Sequence, residues 1–93
     1  MTLRYSQEAY RRLQSLAPEI KKGVKALLAS LREDPYLGKP LQRELEEFRS
    51  LAYKRHRIIY KIAHEDKEIR IYLVGHRKTI YEEIKEAGRA SIP

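Results

Sequence analysis

An α+β fold is predicted for this chain: an N-terminal strand, an antiparallel helical hairpin packed on a small, twisted, mostly antiparallel sheet, and a short C-terminal helix. Three patterns predict it. Apolar residues recur at helical spacing through residues 9–31, alternate at period two through residues 56–74, and return to helical spacing from Ile80. Ninety-three residues suffice for one core covered by two or three helices, so residues 1–93 are read as a single domain.

Leu3-Arg4-Tyr5 alternates apolar and polar and predicts a short strand, and Ser6 is a suitable N-cap for the helix after it. Ala9, Leu13 and Leu16 carry that helix along one face. Pro18 can open a second helix, because the first helical turn does not use its missing N–H. Ile20, Val24, Leu27, Leu28 and Leu31 then form the clearest amphipathic stripe in the chain. This helix is expected to stop near Asp34, since Pro35 disfavours helical backbone in the residue before it. Residues 35–48 contain Pro35, Gly38 and Pro40 and then helix-permissive Leu41–Glu46, which predicts a loop with one turn of helix.

Three strands follow, at about 49–54, 56–64 and 68–74, with a turn at Glu65-Asp66-Lys67. Ile58, Tyr60 and Ile62 share one face of the second, and Ile69, Ile71 and Leu73 one face of the third; both faces are expected to pack on the helices. The opposite face then carries Arg57, Ile59 and Lys61 beside Arg70, Tyr72 and Val74, and is expected to be basic, partly aromatic and open. Gly75 is expected to break the third strand. Ile80, Ile84 and Ala87 predict a C-terminal helix ending at Gly88, with residues 89–93 frayed.

Composition narrows the chemistry. No apolar run approaches the roughly 18 residues of a membrane span and no signal-peptide pattern opens the chain, so a soluble, cytoplasmic protein with no membrane partner is expected. Without cysteine there is no disulfide, thiolate nucleophile or cysteine zinc site, and His56, His64 and His76 lack short ligand spacing. Neither a metal nor another cofactor is expected.

Charge is concentrated. Residues 49–78 hold nine Lys/Arg against three acids and contribute +6 of the net +7. Clustered positive charge attracts a polyanion by counterion release and steers encounter, whereas evenly spread charge mainly aids solubility. Arg49, Lys54, Arg55, Lys61, Arg70 and Lys78 are therefore candidate RNA-binding residues. Tyr60 is expected in the core; Tyr53 and Tyr72 could stack on bases, although tyrosine is also simply a good strand residue. Val74-Gly75-His76-Arg77-Lys78-Thr79-Ile80-Tyr81 places an arginine, a lysine, a histidine and a tyrosine where period two gives way to helical spacing. Such side chains handle phosphate chemistry.

The strand pair "RSLAYKRHRIIYKI" and the segment "IRIYLVGHRKTIY", behind a helical hairpin, make the chain resemble the RelE/ParE superfamily of toxins from type II toxin–antitoxin systems, and its RelE-like branch in particular, over about residues 3–84. The resemblance implies the RelE-like fold, a toxin that cuts mRNA in the ribosomal A site, and a cognate antitoxin that is acidic and partly disordered. By position, Arg57 matches an arginine that contacts the scissile phosphate, Arg77 one that stabilises its charge, and Tyr81 a tyrosine that stacks on or activates the nucleotide. His76 stands where some nuclease members carry a catalytic residue. Ala52-Tyr53-Lys54 departs from the family's Arg-Val-Gly, and His56 replaces an aromatic. ParE-branch members inhibit DNA gyrase instead, so a gyrase inhibitor, or a binding module without activity, stands beside the nuclease reading.

RNA cleavage without a metal uses the 2′-hydroxyl as nucleophile, expels the 5′-oxygen and leaves a cyclic phosphate. The protein must take one proton, supply another, and neutralise a phosphorane. Arg57 and Arg77 suit the last task, because a guanidinium is permanently charged and donates paired hydrogen bonds to phosphate. His76 or Tyr81 could move the proton. Each also has a plainer role open to it, His76 as a cap or surface residue and Tyr81 as a helix residue covering the sheet edge.

Overall fold

A computed structural model describes the backbone of residues 1–90 and the side chains of residues 1–86. The elements run β1 (Thr2–Tyr5), α1 (Gln7–Ser15), α2 (Pro18–Glu33), β2 (Lys39–Pro40), a single 3₁₀ turn (Arg43–Leu45), β3 (Phe48–Tyr53), β4 (His56–Ala63), β5 (Glu68–His76) and α3 (Ile80–Ala90). The sheet has the order β1-β5-β4-β3-β2, with β1 parallel to β5 and every other pair antiparallel. This is the expected α+β architecture, with one strand more: Lys39–Pro40 pairs with Ser50 and Arg49 inside the stretch read as loop. A proline is tolerated there because β2 is an edge strand.

Local chemistry explains the element ends. Ser6 Oγ accepts a hydrogen bond from Ala9 N at 3.0 Å, capping α1 as expected, and donates one to Tyr72 O at 2.7 Å. Pro18 opens α2, and Asp34 closes it. The β3–β4 hairpin turns through Lys54-Arg55, with Lys54 in the left-handed region at φ 52°. Two-residue hairpins demand that geometry, which glycine or asparagine adopts more cheaply than lysine.

Two apolar layers flank the sheet. On one side Ala9, Leu13, Val24, Leu28 and Leu31 of α1 and α2 pack on Leu51, Ile58, Tyr60, Ile69, Ile71 and Val74. On the other, Ile80 and Ile84 of α3 and Leu45 of the 3₁₀ turn pack on Ile59 and Leu73. The expected open basic face is therefore closed over its centre: Ile59 is 0% exposed and Leu73 is buried. The sidedness of β5 also differs from strict alternation. Its register against β4 slips between Ile59 and Tyr60, so Ile59 faces Leu73 while Tyr60 faces Ile71, and Tyr72 is the extra residue. A bulge of one residue flips everything beyond it to the other face. Leu73 thus leaves the α1/α2 side for the α3 side, and Val74 makes the reverse move.

Gly75 does not break β5, which runs on to His76. The position is crowded: a Cβ there would lie 2.9 Å from Ile80 Cδ1 and 3.2 Å from Arg12 Nη1, so those side-chain ends would have to shift. Arg12 ties α3 to α1 at this point, its guanidinium meeting Glu83 at 2.7 Å and Glu8 at 2.8 Å. α3 continues through Ala90, past the Gly88 at which it was expected to end; fraying beyond it lies outside the described residues.

Tyr60 is fully buried, as expected, and its hydroxyl accepts from Gly38 N at 2.9 Å and donates to Pro35 O at 2.7 Å. Gly38 sits so close that a Cβ would come 2.7 Å from Ser50 O. Tyr60→Phe should therefore leave a buried N–H and a carbonyl without partners and cost about 1–3 kcal/mol. Thermal unfolding checks this, and an unchanged midpoint would remove Tyr60 from the support of the 35–38 loop.

Candidate active site

β4, β2 and the first turn of α3 bring Arg57, Lys39 and Tyr81 to one groove of about 520 Å³, floored by Ser50, Leu51 and Ala52. Arg57 is paired across the sheet with Ala52, so a small side chain opposite leaves its guanidinium room. Its Nη1 donates to Lys54 O at 3.0 Å and His56 O at 2.9 Å. Those bonds hold the arm at the hairpin end, and among the described residues no carboxylate neutralises it. Tyr81 approaches from α3, its hydroxyl 3.2 Å from Ser50 Oγ. Arg57 and Tyr81 are thus two of the expected catalytic residues that the fold brings together. Charge-assisted, paired hydrogen bonding suits such an arginine to a phosphate, and a phenol lining the same groove can pass a proton.

Arg77 lies in the turn between β5 and α3, exposed, and its backbone N donates to Arg55 O at 2.8 Å. That bond lays the turn of Arg77 and Lys78 beside the hairpin turn of Lys54 and Arg55. The four exposed cations form a basic rim at one end of the sheet, and none has an ion-pair partner among the described residues.

His76 faces the other way. It lines a shallow depression of about 230 Å³ with His56, Arg11 and Arg12 on the α1 side of the sheet, away from Arg57 and Tyr81. Its Nδ1 accepts from Lys78 N at 3.2 Å, and its ring meets that of His56 edge-on at 6.1 Å. Partial burial, and then the charges of Lys78, His56, Arg77 and Arg55, hold its pKa below the ordinary histidine value. The unfolded chain therefore takes up the proton first. Stability from this site should be complete above about pH 6.5 and fall as pH drops through the lower folded-state pKa. Melting temperatures across pH 5–7.5 should show a shallower acid decline for His76→Gln than for wild type, and identical slopes would overturn the assignment.

The remaining candidates are spent within the fold. Arg49 Nη2 donates to Gly38 O at 2.6 Å and its guanidinium lies over the Tyr36 ring, pinning the 35–38 loop. Lys61 pairs with Glu47 at 3.3 Å, and Arg70 with Asp66 at 2.7 Å and Glu68 at 3.2 Å. Tyr72 packs edge-on to Phe48, and Tyr53 lies over Gly23 of α2, so both rings have partners inside the protein rather than open faces for bases. Sequence reasoning missed Ser50 and Lys39 in the groove. The available signal was weak: Lys39 sits in a proline-rich stretch whose strand character appears only through its pairing with Ser50.

Known proteins resemble this chain in sequence and in fold. Residues 3–81 match the family described as the ParE toxin of the type II toxin–antitoxin system parDE. Toxin RelG of Mycobacterium tuberculosis is 35% identical over 82 residues, covering 86% of this chain and 94% of that protein. In the crystal structure of the toxin–antitoxin complex RelBE2 from the same organism, one chain superposes with a TM-score of 0.74 at 35% identity, over 82% of this chain and 96% of that one. A mutant of the Escherichia coli toxin RelE in the free state superposes at 0.77 over 97% of both chains with 16% identity, a likeness of fold. No helix among the described residues is long and apolar enough to cross a membrane. With a family match over most of its length and a relative 35% identical nearly end to end, the chain belongs to the RelE/ParE family of type II toxin–antitoxin toxins.

Proposed function

We propose that this toxin is an mRNA endonuclease that works on the ribosome in the cytoplasm and cleaves by metal-independent attack of a 2′-hydroxyl on the scissile phosphate. One observation carries the reading: Arg57, without a carboxylate partner among the described residues, and Tyr81 line a single groove. Arg57 binds the phosphate and neutralises the charge that develops on it, and Arg77, outside the groove on the basic rim, adds its positive charge from there. Tyr81 takes the 2′-hydroxyl proton, and water protonates the departing 5′-oxygen. His76 lies on the far side of the sheet from that groove, and in this reading it supports the rim through Lys78 N. Lys54, Arg55 and Lys78 track the message or ribosomal RNA backbone through charge alone.

Mapping 5′ ends of mRNA on purified translating ribosomes, with and without the protein, tests the reading. New ends within the A-site codon are expected, absent with Arg57→Ala. The match to a ParE family favours a second reading, inhibition of DNA gyrase without nuclease activity. Accumulation of enzyme-trapped, cleaved DNA with intact mRNA would establish it in place of the first. Intact mRNA and intact DNA together would leave a binding module.

The partner follows from similarity. RelBE2 and the E. coli RelBE pair were crystallised as toxin–antitoxin complexes. By likeness, this chain is held inactive by an acidic, partly disordered antitoxin that gains order on binding to the basic surface. Co-expression with the adjacent open reading frame should yield a salt-sensitive complex and restore growth.

A further inference from the structure

Resting on the nuclease reading, we propose that the groove continues past Tyr81 into a second lobe that holds the base of the nucleotide flanking the scissile phosphate, where Gln42 and Glu44 read its hydrogen-bonding edge. Tyr81, Pro40 and Leu41 line both lobes, and the second, of about 510 Å³, adds Gln42, Arg43, Glu44 and Lys85. Its size lies within the range of about 300–1,000 Å³ typical of small-molecule sites.

The lip that carries these polar groups is anchored. Leu45 is buried against Ile59, Ile80 and Ile84, Leu41 N donates to Phe48 O at 2.9 Å, and Leu45 N donates to Gln42 O at 3.2 Å. Arg43 holds φ 58°, a left-handed conformation that a non-glycine residue adopts at a cost. Yet the side chains on this lip, with Gln42, Arg43 and Glu44 exposed, have no partner: among the described residues, Gln42, Arg43, Glu44 and Lys85 make no side-chain hydrogen bond or ion pair. Two cations and one carboxylate leave the lobe net positive, which suits a nucleotide. The Tyr81 ring, fixed by Ser50 through its hydroxyl, offers a wall on which a base can stack.

Glu44 dictates the preference. A carboxylate accepts from the exocyclic amine of adenine, cytosine or guanine, whereas the single donor of uracil, N3–H, lies between two carbonyl oxygens that repel the carboxylate. Gln42 can complete a donor–acceptor pair with the amino-bearing bases. The lobe should therefore favour adenine, cytosine and guanine over uracil at one position beside the cut.

The test uses the full chain on ribosomes programmed with A-site codons that differ at each position in turn. Wild type should cut at least fivefold faster with an amino-bearing base than with uracil at one position, and Glu44→Gln should bring that ratio near one, about the discrimination a paired side-chain contact supplies. Lys22→Ala, an exposed change on α2, should keep the wild-type ratio. A second arm stands apart from cleavage: titration with RNA trinucleotides, followed by backbone amide shifts. Shifts at residues 42–45 and 85 that are larger for adenine- than uracil-containing trimers, and lost in Glu44→Gln, are expected. Cutting with a base ratio that Glu44→Gln leaves unaltered would overturn the subsite while sparing the nuclease. Absence of cutting by wild type would overturn the nuclease reading, and the titration would then decide the subsite alone; no shift at 42–45 ends it.

Discussion

Arg57→Ala should lower single-turnover mRNA cleavage on ribosomes about a hundredfold or more, the loss typical of removing one preorganised donor to a developing charge. Among the described residues no carboxylate answers the charge of Arg57, while Nη1 braces the hairpin turn through two carbonyls. Two effects must therefore be separated. Losing the brace at a partly exposed turn should lower stability by no more than about 1–2 kcal/mol, whereas losing the phosphate contact acts on the chemical step. Ribosome binding should stay within about tenfold of wild type, because several other cations share the nonspecific attraction. Arg57→Lys sharpens the point: it restores charge without the paired donors of a guanidinium, so most of the rate should remain lost. Cleavage at the wild-type rate by Arg57→Ala would remove this residue from the catalytic assignment.

Ile59→Lys should unfold the α3 side of the molecule. Judged from the alternation of β4 alone, position 59 belongs to an open basic face, where a lysine would be harmless. In the folded chain Ile59 is 0% exposed and encloses, with Leu73, Ile80, Ile84 and Leu45, the second apolar layer. A lysine there loses the apolar contact and buries an ammonium with no carboxylate among the residues of that layer. Removing the side chain alone costs about 2–5 kcal/mol, and the unpaired charge adds several more. Total stabilities of about 5–15 kcal/mol leave little beyond that. A collapse in melting temperature, with fast amide exchange through α3, is expected; a midpoint within a few degrees of wild type would contradict the closed face. Tyr81 rides on α3, so the same variant should lose cleavage even where the rest of the sheet survives.

Features set by neighbours in the chain could be read without coordinates. The Ser6 cap, the Pro18 start, the Asp34 stop and the stripe from Ile20 to Leu31 each depend on a few adjacent residues, and so did the hairpins and the basic stretch of residues 49–78. The paired motifs around Arg57 and Tyr81 pointed to the family for the same reason. Sidedness was decided at longer range. The bulge at Tyr72 arises where β5 must satisfy β4 on one flank and Ser6 on the other, which takes Tyr72 O and Ile71 O for the start of α1. A slip of one residue there reversed Leu73 and Val74, and no local pattern encodes it. The closing of the second face had a faint sign, since Ile58-Ile59-Tyr60 is a continuous apolar run of the kind that is buried on both sides. Which cations remain available was wholly a matter of tertiary structure. Arg49, Lys61 and Arg70 look like Lys54, Arg55 and Lys78 in the sequence, but carbonyls or carboxylates brought near by the fold claim the first three, and the two turns joined by Arg77 N and Arg55 O leave the others in solvent. His76 and Arg57 parted in the same way: His76 pairs with His56 and Arg57 with Gly75, paired residues share a face and successive residues alternate, so the two point to opposite faces.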